Sequence, residues 1–314
     1  MGQEQCHPYL CKPCGWVSVC PMKISTIIVV SSKIKTKLRI YWQLIKSLQT
    51  GLLLITGLAG YLSAKCPVRD IPLLLSVSSS LFLAISGSTV LNMWYDRDID
   101  KKMDRTCYRP LASGQISQQE GVCLGLVLSI VGIGWAASTN LLFGLVVTAG
   151  LFFDVVIYTI WLKRRTSWSI VWGGFAGAMP VLAGRVLAIG FFDWVGVVLA
   201  LGVLFWIPTH IMTFNIKYFE DYNKAGIPTF PARYGFQFTR QAIAISSILA
   251  ALMMAAAGYG IGLLWGYMRL LAVLSAGLLL LAGVSVFRPS ETVNFGLFKY
   301  ASIYMLGSMI LMTI

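Results

Sequence analysis

Asn92, Asp96, Asp100 and Asp104 recur every fourth residue in the segment Asn92-Met-Trp-Tyr-Asp96-Arg-Asp-Ile-Asp100-Lys-Lys-Met-Asp104. On a helix each such step advances about 400°, so the row drifts about 40° per step and stays on one side for about two turns. That spacing gathers side-chain oxygens where an apolar helix ends. Like charges four residues apart weaken a helix by about 0.2–0.5 kcal/mol per pair. Something cationic has to compensate them, either neighbouring bases or a hard divalent ion with a phosphate ligand. Mg2+ suits the second case, because it takes a few carboxylates and completes its shell with water and substrate phosphate oxygens. A solvated loop neutralised by its own lysines is the plainer alternative. The matching Asn and the apolar run that feeds the row favour a metal–phosphate site.

Bases stand close by. The continuation Arg105-Thr-Cys-Tyr-Arg109-Pro-Leu-Ala-Ser-Gly114 places two guanidiniums behind the acids, and Lys163-Arg164-Arg165-Thr166 closes a later apolar run. Guanidinium forks match phosphate oxygens bidentately. Alone, a Lys-Arg-Arg run at a helix end fixes orientation; beside acidic metal ligands it becomes a diphosphate clamp. A second acidic segment, Lys217-Tyr-Phe-Glu220-Asp221-Tyr222, follows a run that contains Pro208 and His210. Pro208 kinks an apolar helix and frees a backbone carbonyl. His210 and Asp154 are ionisable residues inside apolar runs, which makes each a functional candidate. A hydrogen bond to a neighbouring helix is the plainer reading of both.

The elements that position these residues must cross a bilayer. Of 314 residues 57% are hydrophobic and 12% charged, against about a quarter charged in soluble domains. The hydrophobicity excludes disorder, the scattered glycines a collagen repeat, and seven cysteines in 314 residues a disulfide scaffold. A span needs about 20 apolar residues, and nine candidate runs lie near 41–63, 71–91, 121–138, 141–160, 169–188, 194–213, 240–258, 270–287 and 296–314. Only Ser138-Thr139-Asn140 joins the third to the fourth, which implies a tight hairpin. With the N-terminus cytoplasmic, 19 Lys and Arg fall on the cytoplasmic side and four (Lys65, Arg69, Arg185, Arg269) on the other. This is a strong positive-inside bias, so the net charge of +13 points to topology and not to a nucleic-acid partner. Topology does not explain the acids: seven of the 12 Asp and Glu lie in two cytoplasmic segments, Asp96, Asp98, Asp100, Asp104 and Glu120 between the second and third spans and Glu220 and Asp221 after the sixth.

Residues 1–39 read as a poorly ordered cytoplasmic extension, and 40–314 as the intramembrane domain. Cys6, Cys11, Cys14 and Cys20 sit in the extension with His7, but one Cys-x2-Cys pair without a second is a weak zinc signal. Residues 24–30 are too short an apolar run for a signal peptide, and Met22 offers an alternative start.

Asn92-x3-Asp96-x3-Asp100 followed by Arg105-Thr and Arg109-Pro-Leu resembles the first aspartate motif of the UbiA superfamily of intramembrane prenyltransferases. Four further stretches are similar to its protohaem IX farnesyltransferase branch. They are Tyr158-Thr-x-Trp161-Leu-Lys-Arg-Arg-Thr166, Gly173-Gly-x-Ala-Gly-Ala-Met-Pro180, Trp206-x-Pro-x-His210 and Glu220-Asp221-Tyr222-x-x-Ala-Gly-Ile-Pro228. The resemblance runs from about residue 40 to the C-terminus. It implies an all-α polytopic membrane protein of nine helices around a central cavity, capped at the cytoplasmic face of the cell membrane.

It also implies Mg2+-assisted loss of diphosphate from farnesyl diphosphate, with the farnesyl carbon joined to a vinyl group of haem B and water added. Carried over residue by residue, Asn92, Asp96, Asp100 and Asp221 would hold Mg2+. Arg97, Arg105, Arg109, Lys163, Arg164 and Lys217 would hold the diphosphate. His210, Tyr158 and Tyr222 would lie on the acceptor side. Many members carry a second Asp-x3-Asp; here that region offers Glu220-Asp221, with Lys217 where an acid would stand. Two other readings compete: a quinone-precursor or lipid acceptor within the superfamily, and a transporter using Asp154 and His210 as relay residues.

Overall fold

The computed structural model describes Lys35 and residues 37–65 and 70–314, so the N-terminal cysteine cluster lies outside the described residues. Residues 40–314 form one unit. Its helices are α1 (Ser47–Lys65), α2 (Ile71–Tyr95), the single turn α3 (Arg97–Asp100), α4 (Gln118–Thr139), α5 (Leu141–Leu151) and α6 (Ser169–Ile189). These are followed by α7 (Trp194–Lys217), the short α8 (Phe219–Lys224), α9 (Phe230–Ile261), α10 (Trp265–Phe287) and α11 (Glu291–Leu311). No strand occurs among the described residues.

Local chemistry sets the ends of these helices. Asp70, Ser117, Asn140, Asp193 and Ser290 each cap a helix by accepting a backbone N–H three residues on, which satisfies one of the orphan donors of a first turn. Asn140 alone separates α4 from α5: its N–H closes on the Ala136 carbonyl while its side chain caps Phe143. The hairpin expected from the sequence is thus one residue long. Gly190 (φ 88°) ends α6 in the left-handed region, and Gly235 (φ 81°) breaks α9 near its start.

Each expected span coincides with a helix. Among the described residues seven helices are long and apolar enough to cross a membrane, or up to eight if the broken pair Lys37–Leu44 and Leu48–Lys65 makes one span. α11, the expected ninth, is not among them; Glu291, Asn294, Lys299 and Ser302 dilute its apolar run. α9 begins ten residues earlier than the apolar pattern suggests, because Phe230-Pro-Ala-Arg-Tyr-Gly carries its first turn across the break at Gly235.

Between membrane helices hydrophobicity supplies little preference, so close backbone approach decides the packing. α1 crosses α6 through facing glycines: a Cβ on Gly184 would fall 1.9 Å from the Gly57 carbonyl oxygen, and one on Gly60 would fall 2.0 Å from that of Val181. α2 meets α4 in the same way, at Gly87 and Gly132. Two apolar clusters surround these crossings. One has Tyr61, Val77, Phe143 and Val186 at its centre; the other joins α6, α7 and α9–α11 around Leu199, Ile243, Met254, Leu278 and Tyr304.

Arg185, inside the expected span 169–188 and counted with the bases of the non-cytoplasmic side, is a buried residue of α6. It pairs with Asp193 at 2.8 Å and donates to Ser63 Oγ at 2.8 Å, which ties α1 to the start of α7.

Candidate active site

α2 ends at Asp96, whose N–H closes on the Asn92 carbonyl, and α3 begins one residue later. This break turns the chain so that Asp96 and Asp100 are 5% and 4% exposed, while Asp98 and Asp104 point outward. The row read from the sequence therefore divides. Asp104 leaves it because the helix stops at Asp100 and residues 101–117 run as turns.

Each buried carboxylate meets a cation from elsewhere in the chain. Lys163 Nζ donates to Asp96 Oδ2, and Arg109 Nη1 donates to both oxygens of Asp100 at 2.8 and 2.9 Å. Arg164 forks onto Asp98 at 2.7 and 2.8 Å, donates to the Tyr95 carbonyl at 2.8 Å, and stands 4.0 Å from Asp96 Oδ1. That last oxygen is buried and has no hydrogen-bond partner. Burial opposes the charge on Lys163, but the Asp96 carboxylate outweighs it and holds the ammonium above the usual lysine range. The hydrogen bond from Arg164 holds Asp98 below the usual carboxylate range. Arg97 turns away from the acids, onto the Trp94 carbonyl at 2.8 Å and over the Trp94 ring.

Lys163 reaches Asp96 because the span before it changes its winding. Residues 152–162 are π-helical, and the Lys163 N–H closes on the Tyr158 carbonyl five residues back. On an α-helix residues five apart diverge by about 140°; with i→i+5 bonding they share a face, a geometry common at functional sites. Asp154 and Thr159 are five apart, and both face Asn92. Asn92 Nδ2 donates to Asp154 Oδ2 at 2.7 Å, and Thr159 Oγ1 donates to Asn92 Oδ1 at 2.9 Å. Ser88 donates to the same Asp154 oxygen. Asn92, expected at the metal, thus has both ends of its amide held by the π-helical segment. The sequence marks Asp154 as a functional candidate without joining it to this site, and does not mark Thr159 at all. An acid inside an apolar run was the one signal; the change of winding was not readable.

Lys46 was also missed. It lies at a left-handed backbone position (φ 43°) and interacts electrostatically with Asp96, Asp100, Arg109 and Lys163. A lysine inside the first expected span was the available clue.

The second acidic segment packs against the first. Ile99 and Met103 bury with Ile227, with Tyr222 and Ala225 against them, and Lys224 pairs with Asp104 at 3.0 Å. This brings α8, which carries Glu220, Asp221 and Tyr222, beside α3. Tyr222 also interacts electrostatically with Lys163 and Tyr158, whose ring lies 5.7 Å from the Lys163 ammonium.

A ring cluster adjoins this pair. Arg105 lies over Phe214 and Tyr218 at 4.6 and 5.2 Å, and its Nε is buried without a partner. Lys217 lies over Phe295 and Tyr218 at 3.5 and 5.3 Å. Deeper along α7, His210 stacks between Trp206 (5.0 Å) and Phe298 (4.5 Å), with Nδ1 3.3 Å from Ser302 Oγ. Among the described residues no hydrogen bond or ion pair joins His210 to the acids.

No three Asp, Glu, His or Cys side chains among the described residues stand close enough to cage a metal by themselves. Mg2+ does not need such a cage, since one or two carboxylates with phosphate and water complete its octahedron. The buried, unpartnered Asp96 Oδ1, with Asp100 one turn on, fits Mg2+ that arrives with a diphosphate.

The UbiA prenyltransferase family model matches residues 53–303. A protoheme IX farnesyltransferase of Archaeoglobus fulgidus is 44% identical over 223 residues, covering 71% of this chain and 78% of that protein. One of Mycolicibacterium smegmatis is 38% identical over 244 residues, covering 76% and 78%. Among solved structures, one of a digeranylgeranylglyceryl phosphate synthase superposes with a TM-score of 0.74 at 21% identity, covering 88% of this chain and 98% of that one. A UbiA homologue from Archaeoglobus fulgidus bound to GPP and Mg2+ gives 0.64 at 14% identity, covering 88% and 100%. The shared fold and these sequence matches agree with the buried acid–base site, and the chain is a multi-pass membrane enzyme that belongs to the UbiA prenyltransferase family.

Proposed function

We propose that this enzyme transfers the farnesyl group of farnesyl diphosphate to a vinyl group of protohaem IX (haem B), giving haem O, at the cytoplasmic face of the cell membrane. The C–O bond at farnesyl C1 breaks, a C–C bond forms to the vinyl carbon, water adds to the remaining carbon, and diphosphate leaves. The observation that carries this reading is the pair of buried carboxylates, Asp96 and Asp100, each matched to a cation at the mouth of apolar helices. The names of the curated relatives support haem as acceptor, and the Mg2+- and GPP-bound homologue supports the metal and the prenyl diphosphate.

In this reading Asp96 and Asp100, with Asn92 positioned beside them and Asp221 opposite, hold Mg2+. The ion supplies neutralisation of the charge that develops on the departing diphosphate. Lys163, Arg164, Arg109 and Arg105 hold the phosphate oxygens. Without substrate, Asp96 pairs with Lys163 and Asp100 with Arg109, so neither sign is left uncompensated in a low-dielectric site. Binding exchanges partners: carboxylates turn to the metal and cations to phosphate, with the bases already in place. The helices below present apolar side chains that keep water from the farnesyl carbocation. His210 and the rings around it, with Tyr158 and Tyr222, face the acceptor. Membranes containing the protein, supplied with haem B, farnesyl diphosphate and Mg2+, test the reading directly; formation of a phenolic product in place of haem O would replace it with the quinone-precursor alternative.

A further inference from the structure

Several cations of the chain stand apart from the ion pairs, Arg97 over Trp94 and Arg240 over Phe236 among them. Arg109, Lys163 and Arg164 face Asp100, Asp96 and Asp98. Arg105, Lys217 and Lys299 have no carboxylate partner among the described residues and rest on aromatic faces instead. The ammonium groups of Lys217 and Lys299 lie 3.5 and 4.5 Å from the centre of one ring, that of Phe295. They are therefore no farther apart than the sum of those distances. A single lysine near a helix end snorkels to the interface and needs no explanation. Two on one ring repel each other, and a ring face returns only about 0.5–1 kcal/mol per cation at an exposed site. Such an arrangement gains most when each ammonium meets an anionic group.

Phe295 also ends a row of near-parallel rings. It stacks on Phe298 (6.1 Å, 8°), Phe298 on His210 (4.5 Å, 27°), and His210 on Trp206 (5.0 Å, 24°). The row runs along α7 and α11 towards the bilayer, and the cations stand at its outer end. At that end Tyr218 lies under Lys217 and under Arg105, which belongs to the segment of the buried acids. The surface therefore offers, in order, an apolar aromatic wall, a two-cation end, and contact with the diphosphate side.

We propose that Lys217 and Lys299, both resting on the Phe295 ring, bind the two carboxylates of a flat aromatic acceptor, so that the acceptor's apolar edge extends along the Phe298–His210–Trp206 row. This rests on the reading of haem as acceptor: protohaem carries its two propionates on one edge and its vinyl groups away from it. The inference assigns Lys217 to the acceptor and not to the diphosphate, and gives Lys299 a role.

The test compares haem B with its dimethyl ester, in which both carboxylates are capped. Enzyme in nanodiscs is titrated with each by absorbance and then assayed with farnesyl diphosphate. In the wild type the ester should bind about 10-fold or more weakly. The variant K217Q/K299Q should weaken haem B by a similar factor and leave the ester unchanged, so that the two losses do not add. KM for haem should rise while KM for farnesyl diphosphate stays within about twofold, and K217R/K299R should recover most of the loss, which a mere packing role would not show. Equal discrimination between haem B and its ester in wild type and K217Q/K299Q, or a rise in KM for farnesyl diphosphate alone, overturns the inference while leaving haem as acceptor. Failure of the wild type to bind or farnesylate haem B overturns both.

Discussion

Lys163, at the end of a π-helical segment, donates its ammonium hydrogen to the buried Asp96, at the end of α2, so one partly buried hydrogen bond joins the two halves of the candidate diphosphate site. Breaking one side of a buried pair leaves the other charge uncompensated, at about 3–5 kcal/mol. Lys163→Met is expected to lower the melting temperature and to cut turnover about 100-fold or more. The Lys163 pKa is raised by its partner, so this stabilisation is fully present below the ordinary lysine pKa and fades only as pH climbs through the raised value. Thermal unfolding of the wild type should therefore show no loss from this pair between about pH 6 and 10.

Asp154 and Thr159 hold the Asn92 amide from both sides. Residues that orient a ligand-bearing side chain typically contribute about 10–100-fold to activity. Asp154→Ala is expected to reduce kcat by that factor and to raise the Mg2+ concentration needed for half-maximal rate, with the protein still inserted. Steady-state rates across a Mg2+ series check this; an unchanged Mg2+ requirement would remove Asp154 from the site.

The α1–α6 crossing tolerates no side chain at Gly184, whose Cβ would meet backbone atoms of α1. Gly184→Ala is expected to separate the helices and cost about 2 kcal/mol or more. Gly134 and Gly283 have open space around them, and alanine there should be neutral or slightly stabilising. Melting temperatures of the three variants in one detergent decide the matter.

At the opposite end, burial pushes the Asp193 carboxyl up, but Arg185 and the Gly196 N–H outweigh it and hold it below the usual range. A depressed folded-state pKa gives stability that is present above the ordinary carboxylate value and lost as pH falls through the depressed one. Arg185→Met is expected to destabilise by about 3 kcal/mol at pH 7, and the gap to wild type should narrow below about pH 4. A gap that does not change with pH would show that Arg185 acts through packing alone.

The sequence made the acids and the bases at Lys163 and Arg164 legible because charges are scarce in an apolar chain, and seven of the 12 acids gather in two segments. Seven or eight of the nine expected spans were legible for the same reason, down to the Asn140 turn. The partnering was not. Asp96 meets a lysine 67 residues away, and no local pattern encodes that separation. The winding of residues 152–162 was invisible because Phe-Phe-Asp-Val-Val-Ile-Tyr-Thr-Ile-Trp-Leu reads equally well as an α-helix; only the finished packing brings Asp154 and Thr159 to Asn92. Arg185 reads in the sequence only as a base at the outer end of its span, because its partner, Asp193, lies past the helix end. Lys299 reads in the sequence only as a lysine near the end of the last span, and its neighbours Phe295 and Lys217 come together only in the fold.

The central claim is that a Mg2+–diphosphate site built on Asp96 drives farnesylation of haem. The most direct measurement is haem O formation from haem B and farnesyl diphosphate by purified protein in nanodiscs, for the wild type and Asp96→Asn, with Mg2+ and after chelation. The account predicts haem O only from the wild type with Mg2+, with Asp96→Asn inserted and folded but inactive. Haem O from Asp96→Asn at the wild-type rate, or from chelated wild type, would contradict it.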